Sequence, residues 1–150
     1  ERHGHVFVNN VLAADESFKG PLLSFWQSAA VQDRLTDPQV KQLDGNVYAR
    51  RAPAKPQPLI AWSPVATQKG SVEISDLNDL RKLQPTFEMK SKMFADYAGP
   101  LFRGPELGHF EMLKEFPGAD TGIAIPANVR ELLKIDAKTP VFPGAHAPTL

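Results

Sequence analysis

A chain of 150 residues with 42% apolar and 23% charged side chains is long enough for one domain with its own core, and its composition is not that of a disordered segment. Seventeen basic residues balance seventeen acidic ones, so no long-range field gathers nucleic acid or an anionic bilayer, and a nucleic-acid partner is disfavoured. Cysteine is absent, which excludes disulfides, thiolate metal sites and a Cys nucleophile together, and no apolar run approaches the roughly eighteen residues of a membrane-crossing helix.

Fourteen prolines and ten glycines are too many for a helical bundle, since an interior Pro costs about 3 kcal/mol in a helix. The bulk is expected to be strands and loops. His5-Val6-Phe7-Val8 and Val11-Leu12-Ala13-Ala14 read as two short strands joined at Asn9-Asn10, a residue type that tolerates left-handed dihedrals. Pro21-Leu22-Leu23-Ser24-Phe25-Trp26 is the next strand-like run. After a polar stretch, Leu43-Asp44-Gly45-Asn46-Val47-Tyr48-Ala49-Arg50 again sets turn residues before β-formers, and Pro58-Leu59-Ile60-Ala61-Trp62 follows a Pro-stiffened connection. A helix is predicted over Ser75 to Leu83, with Ser75 as N-cap, Leu77, Leu80 and Leu83 on one face and Pro85 as its stop. A second is predicted from Ala127 to Ile135. Between them, Pro100-Leu101-Phe102 and Phe110-Glu111-Met112-Leu113 flank a Gly/Pro-punctuated loop and are expected to seal a larger sheet, and the residues after Pro140 form an extended tail. This pattern fits a sandwich or a β-solenoid.

The order of these features resembles the C-terminal end of bacterial right-handed parallel β-helix proteins of the pectate-lyase-like group. The resemblance rests on Gly4-His5-Val6-Phe7-Val8-Asn9-Asn10, Asp44-Gly45-Asn46-Val47-Tyr48, Leu59-Ile60-Ala61-Trp62, Ser75 to Leu80, Ser91, Pro100-Leu101-Phe102, Phe110 to Leu113 and Pro117-Gly118. It implies a mainly β fold: final coils with an inserted loop over residues 1–63, then a trailer with two short helices over 64–150. Only two or three coils can be counted, whereas about three or more stacked repeats are needed for stability. A preceding segment or second chain completing the solenoid is therefore expected as a partner. The start at Glu1 in place of methionine fits a piece of a longer protein.

What the resemblance implies about function is a polysaccharide-degrading enzyme part, glycoside hydrolase or polysaccharide lyase, outside the cytoplasm in an extracellular or periplasmic setting, with most of the cleft beyond this chain. The alternative is a non-catalytic carbohydrate-binding, adhesion or assembly module. No catalytic residue carries over, and no cofactor is expected. Asp15, Glu16 and Lys19 lie in the loop after the first coil, where paired carboxylates and an amine suit sugar chemistry; a solvated loop is the plainer reading. Arg50, followed by Arg51, offers a fork for a carboxylate or sulfate, or a surface charge. Trp26 and Trp62 offer stacking plates to a sugar ring, although their apolar neighbours favour core packing. His3 and His5 share one strand face without a third ligand nearby, so no metal site is expected, and His109 and His146 lack an acidic partner at a telling spacing. Lys90 and Lys92 read as solvated, and no Gly-x-Ser-x-Gly elbow is present.

Overall fold

The computed structural model describes residues 4–25, 39–51, 56–62 and 72–149. Its elements, in chain order, are β1 (His5–Val8), β2 (Val11–Ala14), β3 (Leu23–Phe25), β4 (Val40–Asp44), β5 (Val47–Arg50), β6 (Ile60–Trp62), β7 (Val72–Ile74), α1 (Leu77–Leu83), β8 (Lys92–Phe94), β9 (Phe102–Gly104), β10 (His109–Met112) and α2 (Ala127–Leu133). The protein is mainly β, with parallel pairing in three of its sheets and two short helices. β1 pairs with β4, β2 with β5 and β5 with β8, and β3 with β6, all in parallel. The chain thus makes two passes of three strands in the same order and direction, one over the other. β7 breaks the pattern by running antiparallel to β6, and β9 and β10 form an antiparallel hairpin.

The passes stay aligned because like residues sit over like. Leu12 faces Tyr48 and Tyr48 faces Met93; Leu23 faces Ile60, which faces Ile74; Phe25 faces Trp62, and Phe7 faces Leu43. These rows point inward and make the main core with Leu59, Leu77, Leu80 and Phe87. Edge-to-face contacts link Phe7, Phe25, Trp62 and Phe87 in series, with ring centroids 6.2, 5.5 and 5.9 Å apart. Alternate residues of the β2-β5-β8 sheet point the other way. There Val11, Val47 and Phe94 meet Leu101, Met112, Phe116 and Ala119, a second apolar cluster on the outer face.

The bend between strands is made at left-handed backbone: Asn9 has φ 58° and Gly45, its counterpart one pass later, φ 69°. Asn9 also clasps a distant segment, its Nδ2 donating to the Ile123 carbonyl and its Oδ1 accepting from the Ile123 N–H, both at 2.8 Å.

Several elements differ from the sequence reading. The first helix begins at Leu77 and is capped by Asp76, whose carboxylate accepts from the Asn78 N–H at 2.6 Å, so Ser75 is not the cap. The second ends at Leu133, where Lys134 turns left-handed with φ 56°. β4 starts inside the stretch read as polar, because only Val40 and Leu43 need face the core while Lys41 stays exposed. β8 falls in the expected trailer yet joins a parallel sheet, so the stacked part extends beyond residue 63. Met112 is buried as expected, but Phe110 is 56% exposed and lies edge-on to Phe102 rather than in the core. Lys92 is not free: its Nζ pairs with Asp120 at 2.7 Å and donates to the Pro117 carbonyl.

Gly45 is constrained in two ways at once. A Cβ there would lie 2.4 Å from Asn9 Oδ1 and 3.0 Å from the Ile123 amide nitrogen, on backbone that disfavours any side chain. Gly45→Ala is expected to cost about 2–3 kcal/mol and lower the Tm by roughly 4–10 °C, read by differential scanning calorimetry.

Candidate functional site

The loop after β2 carries the acidic and basic residues singled out in the sequence. Asp15 Oδ1 accepts from the Ser17 N–H at 2.8 Å and from the Ser17 hydroxyl, a local turn. Those two bonds, with a smaller contribution from the Arg51 charge, hold the Asp15 carboxyl below its ordinary range. Glu16 and Lys19 are exposed beside it, and the Lys19 ammonium donates to the Glu16 carbonyl. Asp15, Glu16 and Lys19 are therefore brought together on one exposed loop.

Arg50 builds that loop. Its side chain is buried under the loop's far end, where Nη1 donates to the Phe18 carbonyl at 3.0 Å and Nη2 to the carbonyls of Gly20 and Pro58. The guanidinium also lies 5.7 Å from the centre of the Phe18 ring. Both terminal nitrogens are thus committed to backbone carbonyls, and Nε is buried with no partner among the described residues. Trp62 is 3% exposed and packed in the core, so it offers no plate to a sugar. Trp26 and His3 lie outside the described residues. His5 is exposed on β1, and among the described residues no group of three or more potential ligands could hold a metal ion. His109 does meet an acid, its Nδ1 lying 3.7 Å from Glu111 Oε2.

A polar cluster sits at the corner between strands, built from Asn10, Asn46 and Ser91, which the sequence motifs contain, and from Glu88, which they do not. Asn10, Asn46 and Ser91 occupy the same position ahead of three stacked strands, each just before β2, β5 or β8. The Asn10 N–H donates to Asn46 Oδ1 at 2.9 Å, and the Asn46 N–H donates to Ser91 Oγ at 2.7 Å. In return the Val47 N–H donates to the Asn10 carbonyl at 2.8 Å, and the Lys92 N–H to the Asn46 carbonyl at 3.0 Å. Each step from one pass to the next therefore repeats the same two bonds.

Glu88, with φ 55°, turns its carboxylate into this corner and is fully buried. It accepts from the Tyr48 hydroxyl, the Ser91 hydroxyl and, at 3.2 Å to each oxygen, the Asn46 amide. Burial pushes the Glu88 carboxyl above its ordinary range despite the three donors, and burial beside that carboxylate raises the Tyr48 phenol as well. Arg81 of α1 anchors the turn by donating to the Glu88 carbonyl at 3.0 Å through Nε and to the Ser91 carbonyl at 3.1 Å. Sequence offers no signal for Glu88: it lies between Phe87 and Met89 in a turn, and two of its three partners, Tyr48 and Asn46, come from 40 and 42 positions away.

A cavity of about 880 Å³ opens on the other side of the corner. Its walls are Val6, Val8 and Val11 of the first pass, Val129 and Leu133 of α2, and Val141 and Phe142 of the tail. No helix among the described residues is long and apolar enough to cross a membrane. Comparison with family models, with curated proteins and with solved structures finds no match.

Two outcomes follow from these contacts. Arg50→Lys keeps the charge but cannot reach three carbonyls from one ammonium; tryptic cleavage after Lys19 is expected to accelerate several-fold in a time course under native conditions. For Glu88 the folded pKa lies above the ordinary 4.5, so between the two values the folded chain holds a proton that the unfolded chain has released. The stabilisation from this group is complete below the ordinary value and is lost as pH rises through the folded one. Urea midpoints from about pH 4 to about pH 8 are expected to show the wild type losing stability relative to Glu88→Gln as the pH rises.

Proposed function

We propose that this chain closes a right-handed parallel β-helix in an extracellular or periplasmic protein that acts on polysaccharide as a glycoside hydrolase or polysaccharide lyase. In this reading it supplies one sugar-contacting loop and not a complete reacting set. The observation that carries the reading is the pairing of consecutive passes in the same order, direction and corner geometry, with a rigid loop thrown out to one side. Stacked passes make a long, regular flank, and a polymer of sugar rings is a long, regular ligand. Arg50 acts as the brace that holds the loop, while Asp15, Glu16 and Lys19 at its tip face solvent. An Asp15 carboxyl held low by Ser17 stays ionised; it suits hydrogen bonding to hydroxyls or a base role better than proton donation. The Lys19 ammonium suits a uronate carboxylate.

A second reading, a non-catalytic carbohydrate-binding module, is favoured by one observation. Glu88 has the raised pKa expected of a general acid, but it is sealed from solvent and cannot touch a polymer.

The test is affinity electrophoresis of the chain through gels containing acidic or neutral polysaccharides, with assays for new reducing ends and for unsaturated uronate absorbance. Retardation by at least one polymer is expected, weakened several-fold by Lys19→Ala at an unchanged Tm. Binding with release of neither product selects the second reading; neither binding nor release against the whole panel sinks both.

A further inference from the structure

The two bonds that repeat from pass to pass stop at the first pass, where neither half of the next pair has a partner among the described residues. In each step, one corner residue gives its N–H to the side-chain oxygen of the residue below and accepts at its carbonyl from the N–H that follows that residue. At the first pass the equivalent atoms are Asn10 Oδ1 and the Val11 N–H. The Asn10 amide nitrogen is turned toward Asn46 Oδ1 at 3.0 Å and the Val8 carbonyl at 2.9 Å, which places Oδ1 on the opposite side. No donor reaches it among the described residues. Parallel pairing uses alternate residues: Asn10, Leu12 and Ala14 spend their backbone groups on β5, so those of Val11 and Ala13 face the other edge. On β1 the same alternation commits His5 and the Asn9 N–H to β4 and its flank and leaves the Val6 and Val8 N–H groups facing away, while the Asn9 carbonyl accepts from the Gly144 N–H of the tail at 2.7 Å beside the cavity. The 880 Å³ cavity lies against these residues, and Val6, Val8, Asn10 and Val11 all line it.

We propose that this edge is a docking site for an extended polypeptide segment that runs parallel to β1 and β2 and bends over Asn10. The backbone of one bend residue fills both vacancies, its N–H meeting Asn10 Oδ1 and its carbonyl meeting the Val11 N–H. The occupant is a peptide because only a peptide unit offers a donor and an acceptor at that spacing along a strand that continues on both sides. Its chemistry follows from the first pass: four residues with inward β-formers, a left-handed Asn or Gly, an Asn, and four more β-formers. Apolar side chains on its outer face meet Val129 and Leu133 of α2 and Val141 of the tail, which already stand as the cavity's far wall. The site deepens the β-helix part of the proposed function and is independent of the sugar part, since a chain that binds no polysaccharide retains the same edge.

The probe is a fluorescein-labelled, end-blocked peptide of residues 4–14, which carries this pattern, titrated into the folded 150-residue chain. Saturable anisotropy with a submillimolar Kd is expected, together with slowing of Val11 amide exchange by about tenfold or more while the Leu12 amide, already paired, changes little. The same peptide with proline at its own bend position lacks the N–H and is expected to bind at least about tenfold more weakly. Absence of saturable binding, or binding that leaves Val11 exchange unchanged, overturns the proposal. So does a concentration-dependent dimer in sedimentation equilibrium with Val11 protected before peptide is added, which assigns the edge to a second copy. Palmitate binding that blocks the peptide without protecting Val11 overturns it in favour of a small apolar ligand.

Discussion

The amide of Asn46 is the point on which the stacked strands depend. It is completely buried, and a buried amide must have its hydrogen bonds satisfied or it costs more than it contributes. Here the oxygen takes two bonds from Asn10 and the nitrogen serves Glu88 and the Phe7 carbonyl. Those partners come from the pass above and the turn below, so they are in reach only when all three lie in one register. A slip by one residue would exchange the inward and outward faces of β2, β5 and β8, burying Lys92 where Met93 now sits. The rows of apolar side chains make the passes adhere; the corner amide decides where.

Glu88 shows what that precision costs. A carboxylate removed from water is held in place by a phenol, a hydroxyl and an amide, and its own backbone is bent into a left-handed conformation and pinned by Arg81. Deleting one partner of such a network leaves a desolvated group uncompensated, so its members are coupled rather than additive. Arg50 plays a comparable part on the other side of the fold, where one guanidinium gathers carbonyls from two separate loops. In both places a charged side chain organises backbone from within and is not displayed to a ligand.

Much of the strand order could be read from the sequence because β-branched and aromatic runs, divided by Asn, Gly and Pro, carry a local signal. His5–Val8, Val11–Ala14 and Val47–Arg50 were readable for that reason. Val40–Asp44 was not, since two inward apolar residues among three polar ones imitate a loop, and Lys92–Phe94 was hidden by its brevity and its lysine. The candidate site divides along the same line. That Asp15, Glu16 and Lys19 share a loop is a matter of sequence neighbours. That Arg50 turns inward depends on carbonyls 8, 30 and 32 residues away, and Glu88 depends on partners as much as 42 residues away. Charge is visible in a sequence; what neutralises it is a property of the fold.

The reversal of β7 gives the molecule two unlike ends. On the β1 side the exposed strand has the polarity of everything beneath it, so a further layer could be laid down in kind. On the far side the third sheet finishes with a strand running the opposite way, and α1 follows it directly. A layer arriving there would find mismatched hydrogen-bonding directions along one of its sides. At that edge the third sheet offers a parallel stack of β-strands a template of the wrong direction, one of the ways in which a sheet edge is protected from further pairing.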